Sequence, residues 1–231
     1  MFHCFYEQSG TFKNEFKKLG FAAEDYDILN DYGQTDHVID LFAETDKAYK
    51  GDASIFDNIK EGDQIIAFFP CVRFEDQIQM QFRGTANQMQ KWTQIQKLEY
   101  DLKLMEELKE LYDQVTKLAL VCLKRGIPLI IENPWSTTHF LVKYWCIPCS
   151  FIDHDRSATG DYYQKKTQFW FIGREPSNNF IFEGVDIKPK KKIVEESNVD
   201  RSMISHDYAN RFIREYILGK EDLENNGISS N

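Results

Sequence analysis

The chain has 231 residues, 42% of them hydrophobic and 28% charged, with a formal charge of -9 and a pI of about 5.1. That length supports one sizeable core rather than two, so one domain is expected, and the acidic balance argues against a protein that grips nucleic acid with its whole surface. The longest uncharged apolar runs, 65–72 and 118–123, fall far short of the roughly 20 residues of a membrane span.

Met1 leads directly into a strand-like segment that carries Glu7, so no signal peptide is read there. The expectation is a cytoplasmic protein, not membrane-bound, with its five cysteines reduced. Charge is uneven: residues 1–70 carry about -8 and residues 156–192 about +4, which places any phosphate-facing surface in the second half.

Met1–Glu7 reads as a buried strand, and a turn at Ser9-Gly10 opens a helix in which Phe12, Phe16 and Leu19 fall at helical spacing. Gly20 sits where a helix C-cap belongs. Phe21–Ile28 and His37–Leu41 are the next strand candidates, making the β-turn-α-β opening of a mostly parallel α/β sheet. Gln64–Phe69 is a central strand that stops at Pro70-Cys71. A Gln-rich segment, 74–98, carries Arg83, Lys91 and Trp92 and reads as an insertion that could contact a single strand.

Leu98, Leu102, Met105, Leu108, Tyr112, Val115, Ala119 and Cys122 then predict one long amphipathic crossover helix ending before Gly126. Pro128–Ile131 is a buried strand ending at Glu132-Asn133-Pro134, Phe169–Ile172 and Phe180–Phe182 are later strands, and His206–Leu218 is a final helix. Residues 221–231 read as a disordered tail. Cys146 and Cys149 have metal or redox spacing, but no second cysteine pair completes a zinc site and neither role is expected.

In an open parallel sheet, ligands bind beyond the carboxyl ends of the strands. The residues standing there are Ser9-Gly10, Asp27, Asp40, Pro70-Cys71 and Glu132-Asn133-Pro134. A glycine turn before a helix lets a ligand approach the backbone, and a carboxylate after the next strand can hold a ribose diol, so a nucleoside-bearing cofactor is expected.

The series SGTFKNEFKKLG, YDI, VID, IIAFFPC, LIIENP, QKKTQFWFIG and RSMISHDYANRFI, spanning 5–217, resembles the motif series of the DNA cytosine-5 methyltransferases, in particular compact phage- and mobile-element-type members. The resemblance implies a Rossmann-like sheet with helices on both faces, formed by a 1–220 catalytic domain, and S-adenosylmethionine as cofactor. Tyr6, Ser9, Gly10, Asp27, Asp40, Pro70 and Ser202 would bind it, with Tyr6 near the adenine, Asp27 on the ribose and Asp40 at the adenine amino group. Cys71 would attack C6 of cytosine, Glu132 would hydrogen-bond N3, and Gln168 would contact the base.

The chain departs from the family pattern at several points. Gln8 stands in place of a glycine, Val72 and Glu75 replace Gln and Ser after Pro-Cys, and Gln164, Lys166 and Gln168 replace Gln-x-Arg-x-Arg. Glu75 beside Cys71 should raise its pKa, with Arg73 as the offsetting cation. The short stretch from Gly173 to Arg201 leaves no room for a target-recognition domain. The partner expected is therefore DNA, with a nucleotide or single strand as the alternative substrate, and a partner subunit for recognition. A non-catalytic cofactor-binding module is the remaining alternative.

Overall fold

In a computed structural model, which describes residues 1–181 and 203–227, the apolar runs become the inner strands of one seven-stranded sheet. The first half contributes β1 (Phe2–Phe5), α1 (Thr11–Lys18), β2 (Ala23–Asp27), β3 (His37–Val38), α2 (Leu41–Lys50) and β4 (Gln64–Phe68). There follow α3 (Ile78–Phe82), α4 (Gln94–Arg125), β5 (Leu129–Pro134), α5 (Phe140–Tyr144), β6 (Phe151–Asp153) and β7 (Thr167–Ile172). The chain closes with α6 (His206–Phe212), a π-helical turn at Ile213–Ile217, and α7 (Lys220–Asn225).

The strand order is β3-β2-β1-β4-β5-β7-β6. The first five strands run parallel, while β7 pairs antiparallel with both β5 and β6. Side chains alternate across the sheet as the pleat requires. Ile65 and Ala67 face one core with Leu129, Ile131 and Trp170, under α2 and α4. Ile66 faces the other with Ile130, Phe169 and Phe171, under α1 and α6. Both faces are covered, which is why these strands read as continuous apolar runs.

Helix α4 starts at the Thr93 cap, where Thr93 and Gln96 exchange side-chain and backbone bonds, and stops at Gly126 in the left-handed conformation (φ 68). Its apolar face differs from the sequence expectation. Leu108, Val115, Ala119 and Cys122 are buried as expected, but Leu98, Leu102 and Met105 are exposed, and Leu104, Leu111 and Leu118 take the inward positions. A 3-4 spacing identifies a stripe without saying which stripe meets the sheet.

Three other expectations are corrected. The strand expected at His37–Leu41 is only His37–Val38, because Asp40 caps α2. Phe180 and Ile181 are not in a strand, and Phe182 lies outside the described residues. The tail expected to be disordered from 221 instead forms α7, whose Leu223 is fully buried in the second core; only 228–231 lie outside the described residues.

The second core is an aromatic stack. Phe212 lies 4.3 Å from Phe169 and 5.2 Å from Tyr216, and Phe12 bridges from it (6.1 Å) to Phe68 (4.7 Å). Phe212→Ala should cost about 3–5 kcal/mol, the lost transfer energy plus the cavity left in a packed stack. Urea denaturation measures it, and a midpoint equal to that of the unaltered protein would contradict the packing.

Candidate functional site

The strand order reverses around β1, which lies between β2 and β4, and the carboxyl ends on either side diverge to leave a crevice. A cleft of about 250 Å³ opens there, at the lower end of the ~300–1,000 Å³ range of small-molecule sites. Tyr6, Glu7 and Ser9 reach it from the end of β1 and Asp27 from β2, while Pro70 and Cys71 follow β4 and Glu132 comes from β5. Tyr32 and Met203 meet across it, with the Tyr32 hydroxyl 3.8 Å from Met203 Sδ.

Cys71 and Glu132 are brought together by the parallel pairing of β4 with β5, in which Phe68 sits opposite Glu132. The buried Asn133 locks the two ends, its Nδ2 donating to the carbonyls of Phe69 (2.7 Å) and Glu132 (2.9 Å). The turn after Cys71 is fastened by Asp76, which accepts from the hydroxyls of Ser136 and Thr138, and by the Phe140 N–H bond to the Phe74 carbonyl (2.9 Å).

The Cys71 thiol donates to Glu75 Oε1 at 2.9 Å. Burial raises its pKa, the Glu75 carboxylate raises it further, and Lys165 opposes them. Arg73 does not supply the offsetting charge expected of it, because it pairs with Glu107. Glu132 is also held above the ordinary carboxyl range by burial, with Lys165 and Arg156 opposing. Arg156, itself fully buried, pairs with Asp161 (2.5 Å) and lies 3.8 Å from Glu132 Oε1.

On the other side of the cleft, Tyr6 ends β1 in a left-handed conformation (φ 59), with its ring packed edge-on against Phe42 and Phe69. Ser9 bonds Thr11 (3.0 Å), and Gly10 (φ 66) opens α1. The left-handed backbone favours glycine here, and a Cβ, 3.0 Å from Gln34 Oε1, would need that side chain to shift slightly. Asp27 accepts the Leu29 N–H (2.8 Å), and burial raises its pKa.

Not every expected residue arrives. Gln168 is fully buried away from the cleft, its amide donating to the Pro134 carbonyl (2.7 Å) and to Nδ1 of His139 (3.2 Å), whose pKa burial lowers to about 4. Asp40 spends one oxygen on the Phe42 and Ala43 N–H groups and does not line the cleft. Lys166 lies over the Trp135 ring, and its neighbour Lys165 is the lysine in the cleft. Ser202 lies outside the described residues. Cys146 and Cys149 are free, and no group of potential metal ligands exists among the described residues.

Two contributors are not marked as site residues by the sequence: Glu7 and Lys165. Glu7 is buried and caps α1, accepting the N–H groups of Phe12 (2.7 Å) and Lys13 (3.2 Å). Its signal was present, as a carboxylate just after a strand and a few residues ahead of a helix. Lys165 against Lys166 was a one-residue question of which side chain faces the cleft, and a register fixed by Gln168 would have decided it. Compared with models of known protein families and with curated proteins, the sequence matches none.

Burial pushes the Glu7 carboxyl up to about 7, against the lowering effect of its two backbone bonds. A raised acid weakens the fold once ionised, so stability should fall as pH rises from the ordinary value of 4.5 through about 7. Glu7→Gln stays neutral. The unfolding free energy of the unaltered protein minus that of Glu7→Gln should therefore decline between pH 5 and pH 8, by on the order of 2 kcal/mol. Urea titrations at both values test it, and a difference independent of pH would contradict the assignment.

Proposed function

We propose that the chain is an S-adenosylmethionine-dependent methyltransferase that places a methyl group on C5 of cytosine in DNA. The observation that carries the reading is the pairing of Cys71 and Glu132 at the ends of neighbouring parallel strands, lining one cleft with Asp27 and Ser9. The α/β sheet is then a Rossmann-like methyltransferase sheet, and residues 1–220 are its catalytic domain.

The position of Glu7 supports the cofactor class. The N-terminus of the first helix after β1 is a ready anion site in this kind of sheet. Here a carboxylate of the chain itself already takes two of its N–H groups. A phosphate would meet that carboxyl group there, whereas a phosphate-free nucleoside with a cationic sulfonium suits the part of the cleft lined by Glu7 and Asp27. Asp27 would hold the ribose hydroxyls, and the exposed Ile28 beside it offers an apolar surface for the adenine. Asp40 fits the adenine amino group only through whatever acceptor capacity its helix cap leaves.

When bound, the cofactor supplies an electrophilic methyl group. The chain has to make C5 of cytosine nucleophilic. Cys71 passes its proton to Glu75 and its sulfur bonds to C6, while Glu132, whose acid form burial favours, donates to N3 as charge arrives there. Lys165 favours the thiolate. Once C5 carries the methyl group, its proton passes to solvent, the C5–C6 double bond re-forms as the S–C6 bond breaks, N3 returns its proton to Glu132, and the thiolate recovers the proton held by Glu75.

Among the described residues Lys165 is the one basic side chain lining the cleft, which favours a second reading in which the same chemistry acts on a single strand or a nucleotide. Labelled S-adenosylmethionine offered with duplex DNA, single-stranded DNA, RNA and deoxycytidine nucleotides separates these substrates, and no transfer to any of them leaves a non-catalytic binding module. With a C5-fluorinated cytosine substrate, a covalent adduct should accumulate only with S-adenosylmethionine present and should disappear in Cys71→Ser. Glu132→Gln should slow transfer by about 10²–10⁴-fold with cofactor affinity kept, and Asp27→Ala should weaken that affinity about tenfold or more. Full transfer by Cys71→Ser would overturn the mechanism.

A further inference from the structure

Helix α4 carries two apolar faces where a surface helix needs one. Leu104, Leu108 and Leu111 face inward. At about 100° per residue, Ile95, Leu98, Leu102 and Met105 lie roughly 130° further round, and they are 69%, 66%, 68% and 52% exposed. Their spacing of three, four and three residues is that of a seam between two helices.

Further along the same seam the molecule supplies its own cover. Tyr112 packs edge-on against Phe140 of α5 (5.9 Å), and Trp145 Nε1 donates to Thr116 Oγ1 (3.2 Å). The cover stops short of Met105, leaving three turns of seam open to solvent. The positions flanking those turns are Gln94, Glu99, Asp101 and Glu106, with no cation among them.

That flank chemistry selects the occupant. Pairing two copies of this helix would set Asp101 against Glu106 if parallel, or Glu99 against Glu106 if antiparallel, and like charges across such a seam are unfavourable. The same carboxylates repel nucleic acid and anionic lipid. We infer that the Ile95–Met105 face of α4 is a docking surface for an amphipathic helix of a different protein, about three turns long, with apolar residues in a 3-4 repeat between lysine or arginine flanks. This inference is independent of the proposed chemistry, because none of these residues lines the cleft.

The test uses two fluorescein-labelled synthetic helical peptides of about three heptads, with identical Leu/Ile seams and either Lys or Glu on both flanks, titrated with the full chain by fluorescence anisotropy. The Lys-flanked peptide should bind with a micromolar Kd that weakens with added salt. Leu98→Glu/Leu102→Glu, which alters only exposed positions and should leave the circular dichroism spectrum unchanged, should weaken binding about tenfold or more. Equal binding of the Glu-flanked peptide, or no binding of either, would overturn the proposal. So would self-association in sedimentation that the double variant abolishes, which would assign the face to a second copy, or capture by anionic vesicles that the variant loses.

Discussion

The site depends on the register between β4 and β5. Parallel pairing sets Phe68 opposite Glu132, so that the residues just beyond β4 emerge beside the end of β5. A one-residue slip of β5 would turn Glu132 to the opposite face and carry Leu129 and Ile131 out of their core. Asn133 guards against it, since its amide closes the two strand ends at the Phe69 and Glu132 carbonyls. Gln168 supports the same edge from the neighbouring strand, bonding Pro134 and the neutral His139. Two residues in or near the sequence motifs therefore serve as framework for the two that face the cleft.

Electrostatics divides the cleft in the same way. Burial raises the pKa values of Glu7, Asp27 and Glu132, and the compensating cations, Lys165 and the Arg156–Asp161 pair, sit at the Cys71–Glu132 end. At the end near α1 the compensation for Glu7 comes from the helix N–H groups of Phe12 and Lys13.

Much of this was legible in the sequence because it rests on local pattern. Gln64–Phe68 and Leu129–Ile131 announced buried strands, and Cys71 and Glu132 were identified by standing just after or at the ends of them. What stayed hidden depends on orientation around an axis. Helical spacing found the stripe containing Leu98, Leu102 and Met105, but only packing shows that Leu104 and Leu111 face the sheet. Asp40 was located correctly after its strand, yet the start of α2 claims its side chain. Leu223 in α7 was hidden by a polar, low-complexity surrounding that gives one buried leucine no visible weight.

The hydrogen bond from Cys71 to Glu75 has a consequence outside any reaction cycle. Cellular peroxides and alkylating agents attack the thiolate rather than the thiol. A thiol that is mostly buried, protonated and tied to a carboxylate offers them little, so the most reactive atom of the cleft is also protected while the cleft stands idle. Cys146, exposed on the surface, is the residue on which oxidative damage should fall first. A carboxylate four residues after the cysteine thus keeps the thiol in its less reactive form.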